Sequence, residues 1–237
     1  MSGWTAKRFW AEARVEAVAD GYAVTLDGRA VKTPAKQPLV LPSRAMAEAV
    51  AAEWQAQGEK IDPLSMPVTR SANAALDKVA PQKDEVASLI AAYGETDLLC
   101  YRAVAPEALV ARQAAAWDPW LDWAAQDLGA RLVVTQGVVP VAQPPAALAP
   151  LAAHLEARDI WELAALHDLV GLSGSLVLGL AVAQGRLDAA QAWALSRLDE
   201  DWQAEHWGVD EEAAEQAALK KRAFLHAARF WILRHAA

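Results

Sequence analysis

The segment GYAVTLDGRAVKTP, residues 21–34, decides the class of the fold. Large apolar side chains alternate with smaller ones at residues 22–26, which is the pattern of a half-buried strand. Asp27 and Gly28 follow, a pair that favours the tight turn of a β-hairpin, and RAVKT forms the returning strand. The segments RFWAEARVEAV before it and QPLVLP after it are further strand candidates. The N-terminal region is therefore predicted to contain a small antiparallel sheet.

The hydrophobic pattern then becomes helical, beginning near Ser43, which is suited to cap a helix N-terminus. From about residue 106 the chain is rich in alanine, leucine and tryptophan and is predicted to be largely helical. ARLVVTQGVVPVAQPP, residues 130–145, predicts instead a short hairpin or an extended crossing. The whole pattern predicts an α+β fold, with a small N-terminal antiparallel β-sheet domain with helices in residues 1–90 and a mainly α-helical C-terminal domain in residues 91–237.

Composition limits the kinds of partner that the chain can have. Its 237 residues are 54% hydrophobic, so it can bury a sizeable core. The net charge is -8 and the pI is about 5.1, which argues against nucleic acid as the main partner and against anionic membrane surfaces. The most apolar run, LVGLSGSLVLGLAVAQG at residues 169–185, is shorter than the roughly 20 residues of a membrane span. It predicts a buried helix, and no membrane insertion is expected.

Cysteine usage and the first residues indicate the compartment. Cys100 is the only cysteine, so no intramolecular disulfide can form, as is usual in a reducing compartment. The opening segment MSGWTAKRFW has neither the apolar core nor the cleavage pattern of a secretory signal, and it is short for a transit peptide. We expect a cytoplasmic protein.

The usual enzyme motifs are incomplete or missing. GLSGS, residues 171–175, lacks the final glycine of a nucleophile elbow, and the pattern before it is helical where an elbow requires a strand. The sequence has no phosphate-binding loop and no dinucleotide-binding glycine pattern, so nothing supports nucleotide binding. The five histidines are scattered. These incomplete motifs give no support for a catalytic residue, a metal, a cofactor or a small-molecule substrate.

The acidic segment LDEDWQAEHWGVDEEA, residues 198–213, leaves one enzymatic alternative open. His206 and Asp210 stand four residues apart, although Gly208 between them predicts the end of a helix. A metal-assisted hydrolase would use four side chains of this segment. They are Asp199, Glu200, His206 and Asp210.

A continuous helix over residues 187–207 predicts two opposite faces. The buried face comprises Leu187, Ala194, Leu198 and Trp202. The opposite face places Glu200 between Trp193 and Trp207, together with Ser196, Arg197, Gln203 and Ala204. This face is either solvated, with an Arg197–Glu200 ion pair, or it is a contact patch for another protein, because tryptophan beside charge is typical of binding hot spots. A scaffold that joins two partners, through the sheet edge and this helical face separately, is a third possibility.

Six segments together resemble one family, the assembly chaperones of the F-type ATP synthase that bind the free alpha subunit of its catalytic head. They occur in family order from about Arg8 to Gln216. They are GYAVTLDGRAVKTPAKQPLVLP, EWQAQGEKIDPLSMPVTRSANAALD, TDLLCYRA, RQAAAWDPWLDWA, GSLVLGLA and LDEDWQAEHWGVDEEA. The chain is similar to the bacterial members, whereas eukaryotic relatives act in the mitochondrial matrix.

The resemblance implies a two-part α+β fold, no catalysis, no cofactor and the alpha subunit as the partner. It also implies that the acidic pair of the last motif matters, which points to Glu200, with Asp199 and Asp201 as neighbours. The protein would then cover an apolar interface that the unassembled subunit exposes. The residues expected to bind the partner are Glu200, Trp193, Arg197, Gln203, Trp207, Asp199 and Asp201.

Overall fold

The computed structural model describes residues 7–137 and 139–236. Its N-terminal sheet is antiparallel, as predicted, and β2 (Gly21–Leu26) is its central strand. One edge of β2 pairs with β1 (Ala13–Val18) along its whole length. β3 (Arg29–Ala30) and β4 (Val40–Leu41) also pair with β2. The predicted antiparallel sheet is confirmed.

The hairpin turn between β2 and β3 has the predicted chemistry. Asp27 and Gly28 both have positive φ angles, 47° and 80°, as the tight hairpin turn requires. The carboxylate of Asp27 also accepts hydrogen bonds of 2.9 Å from the backbone N–H groups of Ala11 and Glu12. The turn therefore fixes the chain that leads into β1 as well as the hairpin itself.

Helix α1 (Arg44–Gln55) packs against this sheet. The side chain of Ser43 caps it by accepting a 3.1 Å hydrogen bond from the Met46 N–H, which confirms the predicted helix start. A short irregular connection follows, and then α2 (Pro67–Ala74) and α3 (Lys83–Ala91). Glu53 accepts hydrogen bonds from the first backbone N–H groups of α2 and so ties α2 to α1.

The rest of the chain is mainly helical, as predicted. The helices are α4 (Glu107–Asp127), α5 (Pro145–Glu156), α6 (Ile160–Ser173), α7 (Leu176–Ala183), α8 (Ala189–Ser196), α9 (Leu198–Trp207) and α10 (Glu211–His235). Together with the N-terminal sheet they make an α+β fold, which confirms the predicted class. None of the described helices has the length and hydropathy needed to cross a membrane.

The described residues of the segment 130–145 adopt the extended alternative. Its strand β6 (Thr135–Gln136) pairs in parallel with β5 (Tyr101–Arg102), which precedes α4 in the chain. The N–H of Gly137 continues this pairing by donating to the Arg102 carbonyl at 2.8 Å. Val138, within the predicted segment, lies outside the described residues.

The apolar run at residues 169–185 forms the end of α6 and all of α7, so the prediction of one helix is wrong. Gly174 adopts a φ of 71°, which interrupts the helix. Asp97 binds the N-terminus of α7. Its buried carboxyl accepts hydrogen bonds from Ser175 Oγ and the Val177 N–H at 2.8 and 3.0 Å. The residues of α7 are nevertheless buried, as the run predicts.

The chain divides into two compact units. One comprises the chain up to Lys83 with Ile160–Ala165 and the residues from Arg229 onward, and the other comprises Asp84–Asp159 with Leu166–Ala228. The acidic segment and the helices that hold it belong to the second unit. The division of the chain into domains at residues 90 and 91 stays a prediction.

Candidate functional site

The acidic region is built from two helices, and the prediction of a continuous helix over residues 187–207 is wrong. α8 ends at Ser196 and α9 begins at Leu198, with Arg197 between them at φ -108° and ψ 10°. The hydroxyl of Ser196 donates a 2.8 Å hydrogen bond to the Trp193 carbonyl at this break. Side chains before and after Arg197 therefore follow two different helix axes.

The break changes which side chains face solvent. Trp193, expected on the exposed face, is only 6% exposed and packs against Phe224 of α10 with ring centroids 5.7 Å apart. Ala194, expected in the core, is exposed. Leu198 is buried and Trp207 is 77% exposed, as expected. The two tryptophans thus occupy a buried and an exposed position.

An open groove lies between α9 and the first half of α10, with a volume of about 670 Å³. One side, formed by α8, α9 and the residue between them, combines aromatic, polar and acidic side chains, and the other side, formed by α10, has small side chains and one lysine. The first side comprises Trp193, Arg197, Glu200, Asp201, Gln203 and Trp207, and the second comprises Ala213, Ala214, Ala217 and Lys221. No residue in positions 211–222 is buried, so this half of α10 is largely open to solvent.

Inside the groove, Arg197 binds the carboxylate of Glu200. Its Nη1 donates to Glu200 Oε1 at 2.5 Å, which is the ion pair that the sequence spacing predicts. The same guanidinium carbon lies 5.9 Å from the ring centroid of Trp193, within the range of a cation–π contact. A cation is therefore already held between an indole and a carboxylate in this groove.

Helix α4 holds α9 in place through two polar contacts. Gln113 donates a 2.7 Å hydrogen bond to Asp199, and Arg112 binds both carboxylate oxygens of Glu205 at 2.6 and 2.9 Å. The hydrogen bond from Arg112 lowers the pKa of Glu205, which favours the ionised pair. Asp199 is thus directed at α4 and is absent from the groove lining, although the sequence placed it beside Glu200 in the candidate patch.

The four candidate residues of a hydrolase do not converge. His206 stacks on Trp202 with ring centroids 4.2 Å apart, and Asp210 accepts hydrogen bonds from the N–H groups of Glu212 and Ala213 at the start of α10. Asp199 is bound to Gln113. Within residues 7–137 and 139–236 there is no group of three or more histidine, cysteine or acidic residues placed to hold a metal. The hydrolase alternative has no geometric support there.

Two further residues with nucleophilic side chains are engaged in the core. Ser173, which holds the nucleophile position of the elbow-like segment, is buried and donates a 2.6 Å hydrogen bond to the Leu169 carbonyl. Burial raises the pKa of the Cys100 thiol to about 12, so the thiol stays protonated at neutral pH. Neither side chain is placed as an accessible nucleophile.

Sequence reasoning missed the second side of the groove. Ala213, Ala214, Ala217 and Lys221 stand at helical spacing, so they share one face of α10. Small residues at this spacing, directly after an acidic helix and a glycine, are the signal that could have located them. A groove with an exposed tryptophan and fixed charges on helices is typical of proteins that act by binding another protein.

Comparison with known proteins also points to a protein that acts by binding another protein, and it identifies the family. The sequence model of the family described as ATP12 chaperone protein matches residues 7–125. The chain belongs to the ATP12 family, whose members are chaperones for ATP synthase assembly. The resemblance inferred from the sequence segments is thereby confirmed.

Solved structures extend this likeness over nearly the whole chain. The chain is 56% identical to Atp12 from Paracoccus denitrificans, with a TM-score of 0.95, and the match covers 97% of this chain and 98% of that chain. A variant of the Paracoccus protein with an aspartate replaced by lysine matches equally well. The Atu1473 protein from Agrobacterium tumefaciens is 46% identical with a TM-score of 0.89, over 95% of this chain and 86% of that one.

A eukaryotic relative is more distant. The mitochondrial protein atp12 of Schizosaccharomyces pombe is 24% identical over 224 residues, which are 88% of this chain and 76% of the yeast protein.

Proposed function

We propose that this chaperone binds the unassembled alpha subunit of the F-type ATP synthase through the groove between α9 and α10. A ring subunit without its neighbours exposes an apolar interface that promotes aggregation. A protein that covers part of this surface reversibly keeps the subunit available for assembly. Membership of a family of ATP synthase assembly chaperones supports an ATP synthase subunit as the client.

The position of Trp207 is the observation that carries the proposal. It is 77% exposed at the edge of the groove, on the same helix as Glu200 and Asp201. Exposing an indole of this size to water is unfavourable, and indoles are enriched among the residues that dominate binding energies. The groove therefore offers a partner both apolar area and orienting charge.

The groove residues have distinct proposed roles. Trp207 supplies exposed apolar area, Trp193 forms the base of the groove, and Glu200 and Asp201 supply negative charge. Gln203 offers a further polar contact, and Arg197 holds the Glu200 carboxylate while no client is bound. Asp199 supports the groove indirectly, because its bond to Gln113 fixes the first turn of α9.

The location follows from the proposed client. We propose that the protein acts in the bacterial cytoplasm, as a counterpart of the relatives from Paracoccus denitrificans and Agrobacterium tumefaciens.

Co-purification with separately expressed subunits tests the proposal. The tagged chaperone is mixed with purified alpha subunit in one sample and with purified beta subunit in another, and the retained protein is quantified. We expect retention of the alpha subunit and not of the beta subunit. Retention of neither subunit, or of the beta subunit alone, would contradict the proposal.

A further inference from the structure

We infer that the groove takes an arginine or lysine side chain of the client, and that Arg197 occupies this place while the client is absent. The inference rests on the proposed function and adds to it the chemistry of the bound segment. It assigns to Arg197 the role of an internal competitor. A cationic client side chain would displace Arg197 from Glu200.

The charge of the groove and its surroundings fits a cationic occupant. Residues 199–215 contain no lysine and no arginine, yet they include eight carboxylates. Two of these, Asp199 and Glu205, are bound to α4, and Asp210 caps α10. The groove itself is lined by three carboxylates, Glu200, Asp201 and Asp210, against the two cations Arg197 and Lys221.

The contacts of Arg197 show that this groove can hold a guanidinium group. The Arg197 guanidinium is held by the Glu200 carboxylate at 2.5 Å and lies over the ring of Trp193. A guanidinium matches a carboxylate through its planar fork and stacks favourably on an indole. The same two partners can serve a guanidinium or ammonium group that enters from the client.

The contact made by Arg197 is weak enough to be exchanged. Glu200 is about half exposed, and a solvent-accessible ion pair between residues three apart contributes little to stability. Arg197 is not fixed by regular helix geometry either, because it lies at the break between α8 and α9. Client binding must nevertheless break this pair first. Removing the charge of Arg197 should therefore strengthen client binding.

Four proteins test the inference in titrations with purified alpha subunit: the wild type, Arg197→Gln, Glu200→Gln and the double variant. Glutamine keeps part of the length of the arginine side chain but carries no charge. We expect Arg197→Gln to bind about threefold more tightly than the wild type, as expected for release of one exposed ion pair. We expect Glu200→Gln to bind about tenfold more weakly. In the Glu200→Gln background, the Arg197 substitution should give no gain, because the carboxylate that Arg197 occupies is already absent.

Arg186→Gln is the matched control for net charge. Arg186 forms an exposed ion pair with Asp127 at 3.2 Å and does not line the groove. This variant loses the same single charge and should bind like the wild type.

The outcomes separate this inference from the proposed function. If the wild type binds the alpha subunit but Arg197→Gln binds equally or more weakly, the competitor role is overturned while the proposed function stands. A gain that persists in the Glu200→Gln background, or that Arg186→Gln reproduces, also overturns it. No binding by the wild type overturns both.

Discussion

The side-chain amide of Gln113 donates a 2.7 Å hydrogen bond to Asp199, and its Oε1 accepts a 2.8 Å hydrogen bond from the Ala103 N–H. Gln113 is buried, so this one side chain connects the loop before α4 with the first turn of α9. Helix α9 is thus anchored by residues of the second compact unit. Asp199 is bound to Gln113, whereas its neighbours Glu200 and Asp201 line the groove.

Replacing Gln113 with alanine should destabilise the protein. The change removes both hydrogen bonds, leaves the Ala103 N–H without its partner and creates a small cavity. We expect the free energy of unfolding to fall by about 2 to 4 kcal/mol. Urea unfolding measures the change, with Gln203→Ala as the exposed control, expected within about 0.5 kcal/mol of the wild type. Equal effects of the two changes would contradict the anchoring role.

Alanine substitution of the two groove tryptophans should affect two different properties, stability for Trp193 and binding for Trp207. Trp193→Ala empties a buried site against Phe224 and should cost about 3 to 5 kcal/mol of stability. Trp207→Ala removes an exposed ring and should leave the melting temperature nearly unchanged, yet weaken binding of the alpha subunit at least tenfold. Thermal unfolding and titration of each variant distinguish the two roles. Loss of stability in Trp207→Ala without loss of binding would contradict them.

Close packing of α6 and α7 makes Gly179 intolerant of a side chain. A Cβ atom at this position would lie 2.6 Å from Val170 Cγ2, closer than atoms pack. Gly179→Ala should therefore lower the free energy of unfolding by about 1 to 3 kcal/mol. Gly58→Ala is the matched control, since no atom lies within 4 Å of its would-be Cβ and its effect should be small. The hypothesis fails if both variants unfold at the same urea concentration.

Asp97 should make stability depend on pH. Burial raises the pKa of this carboxyl above its ordinary value near 3.8, and the hydrogen bonds from Val177, Leu99 and Ser175 only partly oppose the rise. Because the folded-state pKa is the higher one, the stabilisation is fully present below the ordinary value and is lost as pH rises through the folded-state pKa. The unfolding free energy of Asp97→Asn should consequently fall less than that of the wild type from about pH 4 upward.

Ser175→Ala provides a second check on Asp97. It removes a hydrogen bond that lowers the pKa of Asp97, so the pKa should rise further and the loss of stability should extend to higher pH. Chemical unfolding at a series of pH values measures all three proteins. Parallel curves for the wild type and both variants would show that Asp97 does not titrate as described.

Local chemistry explains why the sheet could be predicted from the sequence. Alternation in β2 and the Asp27-Gly28 turn are properties of a short stretch, and the structure keeps both. The same holds for Ser43, which caps α1 as expected. Each of these features depends on neighbouring residues only, so no knowledge of distant contacts was needed.

The groove could be predicted only in part, because its geometry depends on tertiary contacts. No glycine or proline marks the break at Arg197, so the sequence pattern predicts one continuous helix, with Trp193 exposed and Ala194 buried. The positions of Glu200 and Trp207 follow from α9 alone and were predicted as exposed. The burial of Trp193 against Phe224 requires α10, whose position the sequence pattern does not give.

Binding of the alpha subunit by Glu200→Lys tests the central claim most directly. Lysine reverses the charge of an exposed groove residue, and Glu156→Lys makes the same change at an exposed position outside the groove. With melting temperatures and circular dichroism spectra like those of the wild type, we predict that Glu200→Lys loses at least tenfold in affinity for the alpha subunit while Glu156→Lys keeps the wild-type affinity. Unchanged affinity in Glu200→Lys, or an equal loss in both variants, would contradict a client site in the groove between α9 and α10.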